Sequence, residues 1–132
     1  AACASLIPTT TGASKSVAAV IPDLKGKLDG VSIRAPVPCG SIVDFVAELE
    51  KPASIQSINE AMKKASETYL KGILEYTQES IVSSDIIGNS HSSIFDALST
   101  MIIGDNFVKI LSWYDNEYGY SCRMADVIKM LD

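Results

Sequence analysis

Trp113-Tyr114-Asp115-Asn116-Glu117-Tyr118-Gly119-Tyr120 packs an aromatic strand end, a polar turn and a helix start into eight residues. Upstream, Phe107 to Tyr114 reads as a strand, joined through Gly104-Asp105-Asn106 to a strand at Ser99 to Ile103, which favours an antiparallel hairpin. Downstream, Tyr118 to Leu131 reads as a helix with Tyr120, Met124, Val127, Ile128 and Leu131 along one stripe. Further strands are expected at Ser93 to Leu98 and Ile73 to Thr77. Ser41 to Glu50 is a longer strand in which Val43, Phe45, Ala47 and Leu49 alternate with Asp44 and Glu48, so one face is expected to be buried. Ser54 to Ser66 is an amphipathic helix with Ile55, Ile58, Met62 and Ala65 on one side, and Pro52 and Ser54 mark its start.

Nearer the N-terminus, Leu6 to Pro8 is extended and Ala13 to Ile21 is a helix that stops at Pro22, with Thr10 or Thr11 as its N-cap. Val31 to Ala35 is a short strand. Runs of adjacent strands with a few helices argue for an α+β domain, a largely antiparallel or mixed sheet covered by about three helices.

The 132 residues suffice for one domain and carry 47% hydrophobic residues and 20% charged ones. A net charge of −5 supplies no basic stripe for nucleic acid. No apolar run reaches the length of a membrane span. Ala1-Ala2-Cys3-Ala4-Ser5 lacks the basic region of a signal peptide and an initiator Met, which fits a chain cut from something longer. Cys3, Cys39 and Cys122 form no CxxC or zinc pattern and read as reduced thiols of a cytoplasmic protein. No acidic cluster has metal-site spacing, and no GxGxxG or P-loop is present to cradle a dinucleotide pyrophosphate.

Two constellations carry candidate chemistry. Thr9-Thr10-Thr11-Gly12 stands at a helix start, where unpaired amides face an approaching anion, and Arg34 on a following strand could add a charge-assisted bond. The alternative is an ordinary threonine cap and a surface arginine. In the second, Asn116 offers an amide donor and acceptor suited to a carboxamide such as that of nicotinamide, with Tyr120 one helical turn on. The alternatives are a capping Asn and aromatics that fill core. His91 is the only histidine, and a dyad with Cys3, Cys39 or Cys122 would require tertiary proximity.

Taken in order, Ala4 to Val17, Ile33-Arg34-Ala35-Pro36-Val37-Pro38, Leu49-Glu50-Lys51-Pro52, Leu70-Lys71-Gly72-Ile73-Leu74, Ser83-Ser84-Asp85, His91-Ser92-Ser93-Ile94-Phe95-Asp96 and Ser112 to Ser121 resemble the glyceraldehyde-3-phosphate dehydrogenase family over essentially the whole chain. The resemblance implies the C-terminal part of a catalytic domain. The family oxidises glyceraldehyde 3-phosphate to an acyl phosphate with NAD and inorganic phosphate, through a nucleophilic cysteine and a basic histidine. Thr11 and Gly12 then correspond to an anion site, and Arg34 to the arginine that holds substrate phosphate. Asn116 corresponds to the nicotinamide carboxamide contact, and Tyr120 to an aromatic beside the nicotinamide. The resemblance also implies a homotetramer in the cytoplasm.

Departures from the family pattern are equally specific. The Ser-Cys-Thr segment of the nucleophile, the basic histidine, a second anion-binding arginine, the S-loop and the NAD-binding Rossmann domain all belong upstream of the segments matched here. None of Cys3, Cys39, Cys122 or His91 takes those positions. No catalytic residue, no metal site and no tight NAD binding are therefore expected of the 132 residues alone, and no dehydrogenase activity. The alternatives are a non-catalytic self-association module and a piece of an erythrose-4-phosphate dehydrogenase.

Overall fold

The computed structural model describes residues 4–131; Cys3 lies outside them. Two compact units divide between Pro38 and Cys39. In the first, β1 (Ile7–Thr10) pairs antiparallel with β2 (Val31–Arg34), Ile7 opposite Arg34 and Thr10 opposite Val31. Between the two strands run α1 (Ala13–Val20) and a short 3-10 turn at Pro22–Leu24.

The second unit holds a four-stranded mixed sheet. Its strands are β3 (Ser41–Glu48), β4 (Leu74–Thr77), β5 (Ser93–Ile103) and β6 (Phe107–Tyr114), in the order β3-β6-β5-β4. β6 is antiparallel to both neighbours, and β4 runs parallel to β5. The Gly104-Asp105-Asn106 connection does close the expected hairpin. Two helices complete the unit, α2 (Ile55–Glu67) and α3 (Tyr118–Lys129). The architecture is α+β, as the runs of adjacent strands with a few helices imply.

α2 starts at Ser54, whose hydroxyl accepts from the Ser57 amide while the Ser57 hydroxyl accepts from the Ser54 amide. This reciprocal box satisfies two of the donors that a helix start leaves free. Ile58, Met62 and Ala65 then lie on Leu74, Tyr76, Phe95 and Ala97, with Phe95 wholly buried and stacked on Tyr76. Asn59 fastens the helix to the sheet: its Nδ2 donates to the Ala97 carbonyl at 3.0 Å, and its Oδ1 accepts from the Thr100 hydroxyl at 2.7 Å.

Two sequence expectations are corrected. Ser93 to Leu98 and Ser99 to Ile103 form one strand, β5, with a shift of register between Asp96 and Met101. The buried Asp96 carboxylate accepts from the Leu98 and Ser99 amides, the Ser99 hydroxyl and the Trp113 indole, and so holds the irregularity inside the strand. β3 is not buried on one face: Ile42, Val43, Phe45 and Val46 are all exposed. The alternation is real, but α2 packs over β4 and β5 instead. The apolar stripe of α3 is likewise exposed from Tyr120 to Leu131, and only Gly119 of that helix is buried.

Candidate functional site

In the first unit, the cap of α1 is Gly12 rather than Thr10 or Thr11. Thr9 and Thr10 belong to β1, and the Thr11 hydroxyl accepts from the Ala13 amide at 3.2 Å. An anion at the start of α1 therefore competes with Thr11 for that amide. Strand alternation puts Arg34, opposite Ile7, on the same side of the ribbon as Thr9. Three residue pairs separate Arg34 from the level of Thr10, about 10 Å of strand. Arg34 is exposed. Among the described residues the Thr9 hydroxyl is buried without a hydrogen-bond partner.

In the second unit, β6 ends at Tyr114 and the chain turns at once into α3. The turn is made by Asp115, which is 3% exposed. Its Oδ1 accepts from the Glu117 and Tyr118 amides, both at 2.9 Å, and its Oδ2 accepts from the Gly88 amide at 2.8 Å. The Cys39 thiol approaches Oδ1 at 3.6 Å. The Gly88 amide and then the Tyr118 amide do most to hold the Asp115 carboxyl below the usual aspartate value, against the opposing effect of burial. Cys39 moves the other way: burial first, and then the Asp115 charge, raise its thiol above the ordinary cysteine value. A thiol held neutral in this way is a poor nucleophile.

Asn116 sits inside that turn with its side chain exposed, and its Oδ1 accepts from the Ser41 hydroxyl at 3.1 Å. The two Nδ2 protons are left as donors. Tyr120, the third residue of α3, is 67% exposed. Gly119 lets α3 approach the 89–91 segment: a Cβ there would meet the His91 carbonyl oxygen at 2.9 Å. Gly40, at φ +94°, makes the comparable approach before β3, where a Cβ would lie 2.9 Å from the Ser83 carbonyl oxygen.

His91 forms no dyad with Cys39 or Cys122. Its Nδ1 lies 3.0 Å from Glu75 Oε2 and 2.9 Å from Asn89 Oδ1, and two acceptors there require a proton on Nδ1. Asn89 Nδ2 in turn donates to Glu75 at 2.7 Å. The cluster braces the loop under Gly119.

Asp115 and Ser41 are the residues that sequence reasoning missed. An aspartate at a strand end, two and three residues before free helix amides, is a readable signal for Asp115. No local signal announces its bond to Gly88, 27 positions away, or that of Ser41 to Asn116, 75 positions away.

The class is thus an α+β domain in which a mixed sheet, one packed helix and a carboxylate-held turn present an asparagine to solvent. Its family follows from comparison with known proteins. Residues 1–116 match the family described as "Glyceraldehyde 3-phosphate dehydrogenase, C-terminal domain", so the chain belongs to the glyceraldehyde-3-phosphate dehydrogenase family. Asn116 is the last residue of that match, and Tyr120 lies beyond it.

The chain is 59% identical over 133 aligned positions to the glyceraldehyde-3-phosphate dehydrogenase of Borreliella burgdorferi, covering 99% of this chain and 40% of that protein. It is 53% identical to the enzyme of the same name from Mycobacterium avium, over 99% of this chain and 38% of that one. With the Geobacillus stearothermophilus enzyme the identity is 56%, over 96% of this chain and 38% of that one. The chain thus spans about two fifths of the length of the curated relatives it matches, and corresponds to their C-terminal part.

Proposed function

We propose that the chain is the incomplete C-terminal catalytic domain of a phosphorylating glyceraldehyde-3-phosphate dehydrogenase of glycolysis. It supplies binding residues to a reaction whose nucleophilic cysteine and basic histidine come from the portion that the relatives carry in addition. The observation that carries this reading is the match of residues 1–116 to that C-terminal domain. The names of the relatives weigh against an erythrose-4-phosphate dehydrogenase.

In this reading the start of α1 at Thr11 and Gly12 receives a phosphate oxygen, through backbone amides aligned with the helix dipole. Arg34, three residues further along the β1–β2 ribbon, supplies a charge-assisted bond to the substrate phosphate. NAD, when bound, accepts the hydride from the substrate carbon. The donor set at Asn116 fits it: with Oδ1 taken by Ser41, Nδ2 faces outward for a carboxamide oxygen. Tyr120 offers an exposed aromatic surface nearby in sequence, one helical turn along. Glyceraldehyde 3-phosphate, NAD and inorganic phosphate are the ligands of the whole protein, which we place in the cytoplasm as a homotetramer. Among the described residues no helix is long and apolar enough to cross a membrane. The exposed apolar residues of β3 and α3 support contact with further protein.

The test is a chimera in which this chain replaces the corresponding part of the Geobacillus stearothermophilus enzyme. Phosphate-dependent NADH production is expected from the chimera and none from the 132-residue chain alone. Arg34→Ala in the chimera should lower kcat/KM by roughly 10- to 100-fold, the loss of one charge-assisted bond. A folded chimera without activity, or one indifferent to Arg34→Ala, would overturn the assignment.

A further inference from the structure

We propose that Asp115 and Ser41 act as positioning residues for Asn116, the carboxylate holding its backbone and the hydroxyl restraining its side chain. The inference rests on the reading of Asn116 as a ligand contact, but its geometry stands apart from that reading.

Asp115 bonds the amides two and three residues ahead, so its side chain closes a ring of hydrogen bonds around residue 116. The Gly119 amide donates to the Asp115 carbonyl at 3.1 Å and fastens the same turn from the main chain. The second carboxylate oxygen is tied to Gly88, which anchors the ring to a distant loop. Asn116 is therefore an exposed residue whose neighbours on both sides are fixed.

Its side chain would still be free to present oxygen or nitrogen, since the two ends of an amide are alike in size. Ser41 restrains the rotamer, and as placed its hydroxyl meets the oxygen end. It lies opposite Tyr114 in the β3–β6 pairing, and its hydroxyl donates to Asn116 Oδ1. The nitrogen end is left outward. A carboxamide oxygen then meets donors that are already restrained, with less rotamer entropy to lose on binding.

The test is NMR relaxation on the labelled 132-residue chain, which needs no ligand. The Asn116 side-chain Nδ2 should be ordered in the native chain, with an order parameter approaching the value of about 0.85 typical of rigid backbone. Ser41→Ala should drop it below about 0.6 and leave the Asn116 backbone amide unchanged. Ser41→Thr, which keeps the hydroxyl, should restore the order. Asp115→Ala should loosen backbone and side chain together. If that variant does not fold, acid titration of the native chain replaces it: the Asn116 backbone resonance should then shift together with the Asp115 carboxyl.

An Asn116 side chain already mobile in the native chain, or indifferent to Ser41→Ala, would overturn the role of Ser41. An Asn116 backbone that keeps its order while Asp115 is protonated or removed would overturn that of Asp115. The ligand reading fails separately: in the chimera, Asn116→Ala would leave KM for NAD unchanged while these order parameters stand.

Discussion

A carboxylate can stay ionised at 3% exposure only where donors replace its lost water, and Asp115 has three amides and a thiol to do so. Asparagine in its place keeps the shape, but its nitrogen end must face either the Gly88 amide or the amides of Glu117 and Tyr118, donor against donor. Asp115→Asn should therefore cost about 3 kcal/mol at neutral pH, measured by urea unfolding. The sign of its pH dependence follows from the lowered carboxyl. The stabilisation is fully present above the ordinary aspartate value of 3.8 and is lost as pH falls through the lower native value. The gap between native chain and variant should thus be constant above about pH 5 and close below it. A gap that persists unchanged into strong acid would mean that Asp115 is not the titrating group.

At the scale of elements, the junction between α3 and the 89–91 loop is tight because residue 119 has no side chain. Alanine is the better helix former by about 1 kcal/mol, which by itself would stabilise α3. Here its methyl would meet a backbone carbonyl, which cannot swing aside as a flexible side chain could. We expect Gly119→Ala to be net destabilising by about 1–3 kcal/mol, read as a lowered Tm in thermal unfolding. An unchanged or raised Tm would show that the loop yields without cost. α2 illustrates the opposite case, an element legible from end to end. Pro52, Ser54 and the spacing of Ile58, Met62 and Ala65 announce its start and most of its buried face, because caps and periodicity are local, although Ile55 of the same stripe is exposed. For β3 the alternation of Val43, Phe45 and Ala47 was equally legible, yet it marks a face that α2 does not cover.

Across the whole molecule, burial is unevenly divided. No described residue before Cys39 is buried, whereas the second unit has a core running from Ala65 through Leu74 and Phe95 to Ala97. Native-state hydrogen exchange should accordingly protect β5, β6 and α2 up to global unfolding, while β1, β2 and α1 exchange through local openings. Equal protection in both units would refute this. Sequence alone determined the α+β class, most of the elements to within a few residues though it split β5 in two, and the family through motifs that lie in order along the chain. Those follow from near-neighbour chemistry: caps, turns, alternation and residue types at fixed spacing. It also singled out Asn116, but not what holds it. Only the tertiary structure joined Asp96 to Trp113, Asp115 to Gly88 and Cys39, and Ser41 to Asn116. Each of those bonds links segments far apart in the chain, and whether a polar group is buried and partnered depends on which segments meet.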